Sequence, residues 1–244
     1  MCIRDRESEQ VYRNPVHAEN IQKKEIIYTQ EQKRAIMRFC KDYENGIRKT
    51  YLLHGVTGSG KTEVYMELIA HTVAQGRQAI VLIPEIALTY QTVMRFYNRF
   101  GDRVSIMNSK LSQGERFDQF ERAKAGDIDI MIGPRSALFT PFPHLGLIII
   151  DEEHETSYKS ETAPRYHARD VAIERARMND ASVLLGSATP SVDSYYQAMQ
   201  GKYQLLTLSE RVEKKPLPDC EVVDLRSELR AGNRSILSER LQEL

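Results

Sequence analysis

The sequence contains few cysteines, no excess of charge of either sign and no long apolar run. Its cysteines, Cys2, Cys40 and Cys220, are isolated and form no C-x-x-C pair. This spacing argues against a structural zinc site and a disulfide framework within these residues, and it suits a reducing cytosol. No run approaches the roughly 18 apolar residues of a membrane-spanning helix, and no signal sequence opens the chain. We therefore expect a cytoplasmic protein that does not contact a membrane.

The balance of charges leaves the class of partner open. Lysine plus arginine and aspartate plus glutamate both number 34, so the formal net charge is zero. A nucleic-acid surface would have to come from the local placement of cations rather than from bulk charge. With 41% hydrophobic residues, a chain of 244 residues can bury a core as one large domain or two small ones.

A complete phosphate-loop pattern, G-x-x-x-x-G-K-[ST], occupies residues 55–62. An apolar run precedes it and a helical pattern follows, so backbone N–H groups at a helix N-terminus can surround a triphosphate. Gly58 and Gly60 allow backbone conformations that a Cβ would resist. Lys61 can reach the β- and γ-phosphates, and the Thr62 hydroxyl can ligate a magnesium ion. The nucleotide-binding residues predicted in the loop are Gly55, Thr57, Gly58, Ser59, Gly60, Lys61 and Thr62.

A second candidate segment reads Asp-Glu-Glu-His at residues 151–154, directly after an apolar run. In a phosphate-loop enzyme, Asp151 would hold the magnesium ion through a water molecule, and Glu152 would position or deprotonate the attacking water. Because the two are adjacent on a strand end, their carboxylates can point in different directions. The alternative is an acidic turn that simply caps a strand. The candidate catalytic residues are Lys61, Asp151, Glu152 and His154.

A third segment, residues 185–190, reads Leu-Gly-Ser-Ala-Thr-Pro at another predicted strand end. Ser187 and Thr189 are small hydroxyl residues that can hydrogen-bond to His154 and the acidic segment, and so report the state of the γ-phosphate. Both join the candidate nucleotide-binding residues. The alternative is an ordinary strand-to-helix turn capped by Ser191.

Short apolar runs alternate with helical patterns along the chain. Strands are predicted at residues 51–54, 79–83, 104–107, 128–132, 147–150 and 183–185. In most of these runs apolar residues do not alternate with polar ones, as expected for strands buried on both faces. Residues 36–43, 66–73 and 93–100 have apolar residues at helical spacing, and Thr29 can form a capping box with Gln32. The pattern predicts an α/β fold, a mostly parallel sheet with helices on both faces and ligands at the carboxyl ends of its strands.

We expect three regions along the chain. These are a poorly ordered N-terminal extension at 1–27, the nucleotide-binding lobe at 28–209, and a linker with the start of a truncated following region at 210–244. In the last region, residues 213–218 have the composition of a linker and 221–225 look strand-like. The end of the chain could form a short helix.

The phosphate loop, the acidic segment and the Ser-Ala-Thr turn, in this order, resemble the first motor lobe of superfamily 2 helicases of the DExH type. This resemblance implies a three-layer P-loop NTPase (RecA-like) domain. Further strings are similar to those of the bacterial replication-restart helicases, the primosomal protein N-prime family, and the match covers roughly Tyr28 to the end of the chain. They include VLIPEIALT at 81–89, NSKLS at 108–112, IGPRSALF at 132–139, SYK at 157–159, PRY at 164–166 and GSATPS at 186–191.

The resemblance implies roles for further residues. Gln32 would read the adenine edge, or it could equally be a capping-box residue alone. Residues 84–89 and 133–137 would grip the backbone of single-stranded DNA, and the loop at 155–169 would couple DNA binding to ATP hydrolysis. The implied DNA-binding residues are Thr89, Arg135, Ser136, Tyr158, Lys159, Arg165 and Tyr166.

These residue types suit the implied contacts, because hydroxyl and guanidinium groups bind phosphates and aromatic faces stack on unpaired bases. Two alternatives stay open. Arg135 could be a structural salt-bridge partner, and the loop at 155–169 could be a solvated, mixed-charge segment. The sequence departs from the family at Tyr90, Asn108 and Phe117, where proline, histidine and tryptophan are common. These differences concern packing and DNA contacts more than hydrolysis.

As a whole, the resemblance implies an ATP-driven 3′-to-5′ DNA helicase that requires Mg²⁺ and acts in replication restart and primosome assembly. Its implied partners are single-stranded and forked DNA, other primosome or restart proteins, and single-strand binding protein; we expect a monomer. The family's zinc site and second motor lobe have no counterpart here. Since that lobe supplies an arginine finger, we expect this chain alone to be weakly active.

Three other functions stay open from the sequence. A small-molecule P-loop kinase would need an arginine-rich lid and an acceptor pocket rather than the acidic segment and the Ser-Ala-Thr turn. A nucleotide-sensing module without turnover could describe this chain in isolation. A double-strand DNA translocase would share the same motifs.

Overall fold

The structure, a computed structural model, describes residues 27–212 and 220–243, which belong to two separate compact units. The first unit contains the β-sheet, and the second contains short helices. The predicted extension at 1–27, apart from residue 27, and the predicted linker at 213–218 lie outside the described residues.

A seven-stranded sheet forms the centre of the first unit. Its strands are β1 (Thr50–Gly55), β2 (Gln78–Leu82), β3 (Val104–Ile106), β4 (Ile130–Gly133), β5 (Leu145–Asp151), β6 (Ser182–Ser187) and β7 (Gln204–Leu208). Their order is β3-β4-β2-β5-β6-β1-β7, and every neighbouring pair is parallel. The order places β5, β6 and β1 side by side, so their carboxyl ends meet at one end of the sheet.

Helices cover both faces of this sheet. They are α1 (Gln30–Glu44), α2 (Lys61–Ala74), α3 (Tyr90–Phe100), α4 (Gln113–Ala125), α5 (Ala168–Met178) and α6 (Val192–Met199). Side chains of α1, α2 and α3 pack into one apolar cluster, and those of α4, α5 and α6 pack into a second. The predicted three-layer α/β fold is therefore confirmed. None of the helices within the described ranges combines the length and apolar character that crossing a bilayer requires.

The strands contribute to both apolar clusters. In β2, Ala79 and Val81 belong to the first cluster, whereas Ile80 and Leu82 belong to the second. Because successive side chains point to opposite faces, a strand buried on both sides needs apolar residues at every position. This explains why the strand sequences are continuous apolar runs, without alternating polar residues.

Local sequence signals set the starts of several helices. The hydroxyl of Thr29 accepts a hydrogen bond from the N–H of Gln32, and the Gln32 side chain accepts one from the N–H of Thr29. The predicted capping box of α1 is thus confirmed. Ser191 caps α6 by accepting a hydrogen bond from the N–H of Ser194, as the turn interpretation predicts.

In the first unit the predicted strands and helices are present, with small shifts at their ends, but β7, α4 and α5 have no counterpart among the predictions. The start of α4 had a readable signal, since Ser112 and Glu115 form a capping box. The sequence of β7 contains no local signal that identifies it as a strand. A short apolar run such as Gln204–Leu208 has no periodicity that separates a strand from part of a buried helix.

The second unit contains α7 (Leu225–Ala231) and α8 (Glu239–Glu243). The strand predicted at 221–225 is wrong, because residues 221–224 are irregular and α7 begins at Leu225. The carboxylate of Asp224 accepts a hydrogen bond from the N–H of Arg226 at 3.0 Å and so caps a helix instead. The short helix predicted near the end of the chain is confirmed by α8.

Candidate nucleotide-binding and catalytic site

The phosphate-loop pattern forms a tight connection between β1 and α2. Gly58 and Gly60 have φ angles of +80° and +77°, a region in which residues with a Cβ are strained. A Cβ on Gly60 would also collide with the side-chain amide of Gln32. Glycine is therefore required at residue 60 both by its backbone and by its neighbour.

The loop offers the donors that a phosphate needs. The first N–H groups of α2 have no partner within the helix, and they point out of its N-terminus. The hydroxyl of Ser59 is buried and has no hydrogen-bond partner in the described part of the chain. An unpartnered buried hydroxyl beside a helix N-terminus fits an anionic ligand such as a nucleotide phosphate.

Lys61 joins the phosphate loop to the acidic segment. Its ammonium group is buried, donates a hydrogen bond to the carbonyl of Gly55 at 2.9 Å, and lies 3.7 Å from Oε1 of Glu152. The two segments therefore meet in space although they lie far apart in sequence. A buried cation facing the loop and paired with a single carboxylate can also bind phosphate oxygens.

The acidic segment begins where β5 ends. Asp151 is the last residue of the strand, and Glu152 has the left-handed φ of +47°, which is uncommon for a residue with a Cβ. This turn gives the two carboxylates different neighbours. Asp151 accepts a hydrogen bond from the hydroxyl of Tyr65 at 2.9 Å, whereas Glu152 faces Lys61.

Asp151 occupies a partly desolvated position. Burial raises the pKa of its carboxyl group above the ordinary value, although the hydrogen bond from Tyr65 lowers it. Thr62, in the first turn of α2, is half-buried. A hydroxyl and a carboxylate are hard oxygen donors, so these two residues fit a magnesium ion that keeps several of its waters.

The Ser-Ala-Thr turn contacts the acidic segment as predicted. The hydroxyl of Ser187 lies 2.7 Å from Nδ1 of His154, and that of Thr189 lies 3.5 Å from Nε2. Nδ1 of His154 is also 3.6 Å from Oε2 of Glu152. His154 thus bridges the turn after β6 and the carboxylate that faces Lys61.

Two residues at this site carry contacts that the sequence did not indicate. Tyr65 is buried on α2, four positions after Lys61, so the two side chains share a helix face. That spacing was a usable signal. Gly186 leaves the space that the Tyr65 hydroxyl occupies, because a Cβ at residue 186 would collide with it.

Glu153 is the second missed residue, and its carboxylate is buried. It accepts hydrogen bonds from the N–H of Ser191 at 2.7 Å and from the hydroxyl of Ser194 at 2.9 Å. Arg169, at the start of α5, lies 3.8 Å from it and also donates to both serine hydroxyls. No local pattern in the sequence connects these residues.

Gln32 touches the phosphate loop. Besides its capping-box contacts, its side-chain amide donates to the carbonyls of Ser59 at 3.0 Å and Gly60 at 3.3 Å. The structural role is therefore confirmed, and the adenine-reading role stays a prediction. Among the other predicted loop residues, Thr57 is exposed.

The predicted DNA-binding segments lie beside a separate cleft of about 490 Å³. Arg135 and Ser136 line it, whereas Thr89 lies outside its lining and caps α3. The guanidinium of Arg135 donates to the backbone carbonyls of Ser157 and Lys159. Arg135 thus connects the 133–137 segment to the 155–169 loop through backbone carbonyls. The alternative, a salt bridge from Arg135, is not formed with any residue that the structure describes.

The loop at 155–169 separates its two tyrosines. Tyr158 is only 1% exposed and donates a hydrogen bond to the carbonyl of Asp151 at 2.7 Å. The predicted stacking of Tyr158 on a base is incompatible with this arrangement, because its ring is packed in the core. Tyr166 is half-buried against Phe139, while Lys159 and Arg165 are exposed beside it.

Comparisons with known proteins show which proteins the chain is similar to. A family model described as DEAD/DEAH box helicase matches residues 29–198. The chain is similar to the replication restart protein PriA of Bacillus subtilis, with 48% identity over 236 residues, covering 96% of this chain and 29% of that protein. For the protein of the same name from Synechocystis sp., identity is 48% over 196 residues, covering 78% and 24%. The chain therefore spans less than a third of the length of these relatives.

A solved structure of RecG bound to a three-way DNA junction also resembles the chain. The TM-score is 0.57 at 25% sequence identity, and the match covers 76% of this chain and 24% of RecG. A DUF1998 helicase, MrfA, bound to DNA is similar in fold, with a TM-score of 0.50 at 19% identity.

Proposed function

The chain belongs to the DEAD/DEAH box helicase family, and from this premise we propose that it forms the nucleotide-binding first motor lobe of a DNA helicase acting in replication restart. The similarity to the PriA proteins supports the process. RecG, whose structure holds a three-way DNA junction, supports branched DNA as the class of substrate. We assign residues 28–209 to the lobe, 1–27 to an extension and 210–244 to a linker and the start of a following region.

One observation carries this proposal: the ammonium group of Lys61 lies 3.7 Å from the Glu152 carboxylate, between the phosphate loop and the end of β5. A triphosphate bound by the loop would place its terminal phosphate at this junction. Lys61 would then bind the phosphate oxygens, and the freed Glu152 would position or deprotonate the attacking water. His154 would keep Glu152 in position. Because His154 also contacts Ser187 and Thr189, a change at Glu152 on nucleotide binding would reach these two residues through it.

The proposed nucleotide is ATP, bound with Mg²⁺. Thr62 and Asp151 would hold the ion, which would neutralise charge on the phosphates. Gln32 would contact the adenine from its position against the loop. The zinc site of the family is proposed to lie outside this chain.

The DNA strand would follow the cleft beside Arg135 and Ser136 and continue towards the exposed cations Lys159 and Arg165. Such a path would put the DNA next to the 155–169 loop, which begins directly after the acidic segment. Thr89 and Tyr166 complete the proposed set of contacts. The same proposal includes other primosome proteins and single-strand binding protein as partners. It also includes a monomeric state and a cytoplasmic location.

Two substitutions test the proposal. Lys61→Ala should abolish binding of ATP to this chain, because it removes the cation that faces the phosphates, and calorimetry would measure this. Glu152→Gln in the full-length protein should keep ATP binding and stop turnover, since the amide cannot accept a proton. Wild-type ATP affinity of Lys61→Ala, or wild-type turnover of Glu152→Gln, would contradict the assigned roles.

A double-strand DNA translocase remains the competing function, because the similar RecG structure holds a three-way DNA junction. An unwinding assay with the full-length protein on a forked duplex separates the two. Strand separation supports the helicase, and ATP-driven movement without strand separation supports the translocase.

A further inference from the structure

The segment that leaves β7, residues 209–212, runs along the phosphate loop. At its start, the carboxylate of Glu31 accepts hydrogen bonds from the N–H of Ser209 at 2.7 Å, from the Ser209 hydroxyl at 2.5 Å and from the N–H of Glu210 at 3.3 Å. Glu31 is adjacent to Gln32, which itself touches the loop. The start of α1 therefore fixes the exit of β7 beside the candidate nucleotide site.

The next residues contact the loop directly. The N–H of Val212 donates to the carbonyl of Gly58 at 3.0 Å, and the Val212 side chain lies 3.1 Å from where a Cβ of Gly60 would be. Cγ of Arg211 lies 3.9 Å from the corresponding position on Gly58. Val212 is therefore bonded to the loop at Gly58, and the side chains of Arg211 and Val212 lie next to the open positions at Gly58 and Gly60.

Arg211 differs from the other cation at this site. Lys61 already has the Gly55 carbonyl and Glu152 as partners. The half-buried Arg211 forms no hydrogen bond or ion pair within residues 27–212 and 220–243. Its backbone is held in place by the neighbouring bonds of Glu210 and Val212, so only its side chain would have to become ordered when it binds a ligand.

We propose that Arg211 is a nucleotide-binding residue that contacts phosphate oxygens of a nucleoside di- or triphosphate held in the phosphate loop. A guanidinium presents a planar set of N–H donors that matches phosphate geometry, and its bonds to an anion are charge-assisted. The loop glycines carry no side chain that could separate Arg211 from the bound phosphates. This inference rests on the proposed nucleotide-binding function.

Calorimetric titration of the 244-residue chain with ADP and with a non-hydrolysable ATP analogue tests the proposal. Arg211→Ala should weaken both affinities by about tenfold or more, the size expected for one hydrogen bond to a charged group. Arg177→Ala is the matched control, because the Arg177 side chain is 73% exposed on α5 and, among the described residues, pairs only with Glu174. Its affinities should equal those of the wild type.

The outcomes separate this inference from the function on which it rests. Wild-type affinity in Arg211→Ala overturns the role of Arg211, and so does an equal loss in Arg177→Ala. If Arg211→Ala does not fold, Arg211→Gln replaces it, because this variant keeps a polar side chain without the charge. Wild-type nucleotide affinity of Arg211→Gln would likewise overturn the role of Arg211. Failure of the wild-type chain to bind either nucleotide would instead overturn the proposed function.

Discussion

Tyr158 and Tyr166 belong to one short loop but meet different surroundings. Burial raises the pKa of the Tyr158 phenol, and its hydroxyl is bonded to the carbonyl of Asp151, the last residue of β5. Tyr166 packs edge-on against Phe139, with ring centroids 5.6 Å apart, and keeps part of its surface open. The first residue is bonded to the acidic segment, and the second keeps an open aromatic surface of the kind that can stack on a base.

Substitution of each tyrosine should therefore give a different phenotype. Tyr158→Ala should lower the free energy of unfolding by about 3–5 kcal/mol, because it leaves a large cavity in the core. Tyr166→Ala should cost much less stability, but in the full-length protein it should reduce DNA stimulation of ATP hydrolysis more than basal hydrolysis. Urea denaturation and hydrolysis with and without DNA measure these effects.

A conservative variant serves as the control. Tyr158→Phe keeps the packing and removes only the bond to Asp151, so it should lose about 1 kcal/mol. Equal stability losses for the alanine variants at Tyr158 and Tyr166 would show that the two environments do not differ as described.

At the scale of elements, α5 and α6 begin at the same buried carboxylate. Arg169 lies in the first turn of α5, and Ser191 and Ser194 lie at the start of α6; all three contact Glu153. Glu153 lies within the acidic segment, between the catalytic candidates Glu152 and His154. The network thus fixes two helices relative to the end of β5.

Arg169→Ala should be strongly destabilising. It leaves the buried Glu153 carboxylate without its cation, a change that costs about 3–5 kcal/mol in comparable buried pairs. Arg177→Ala on the same helix breaks an exposed pair with Glu174 and should lower the free energy of unfolding far less. Denaturant unfolding of both variants measures the difference, and similar losses would contradict a buried network.

The predictable elements were those with a strong local signal. The doubly buried strands β1, β2 and β5 have continuous apolar runs, and α1 has both a helical period and a capping box. α5 was not predictable in this way, because its buried face consists only of the small residues Ala168, Ala172 and Ala176. Such a face gives little hydrophobic contrast along the helix.

At the scale of the whole first unit, Glu31 joins its first helix to the exit of its last strand. The pKa of Glu31 is lowered, chiefly by the hydrogen bond from the Ser209 hydroxyl, which favours the ionised form. A carboxyl with a lowered pKa in the folded state stabilises the protein above its unfolded pKa of about 4.3, and this contribution is lost as pH falls through the folded value.

Glu31→Gln should accordingly be less stable than the wild type at neutral pH, and the difference should shrink as the pH falls below about 4. Thermal unfolding at several pH values measures this. Glu121→Gln removes the same charge from α4, where Glu121 forms no hydrogen bond or ion pair within the described ranges, so its difference should not depend on pH in this way. A Glu31→Gln deficit that persists unchanged in acid would contradict the assignment.

The candidate site was predictable where its residues are consecutive. The phosphate loop, the acidic segment and the Ser-Ala-Thr turn each lie within a few residues, and sheet topology brings them together. Glu153–Arg169 and Glu31–Ser209 were not predictable, since each pair is formed by packing between elements that are distant in sequence. The burial of Tyr158 was missed for the same reason.

The strand order also has a consequence for how this chain is made. β1 and its loop are synthesised early, but β1 lies between β6 and β7, the last strands of the sheet. A ribosome must therefore release almost the entire unit before β1 has neighbours on both sides, and the emerging polypeptide cannot assemble its pocket piece by piece. Nascent fragments that end before β6 should be unable to retain nucleotide, so occupancy of the pocket would report that the sheet around β1 has formed.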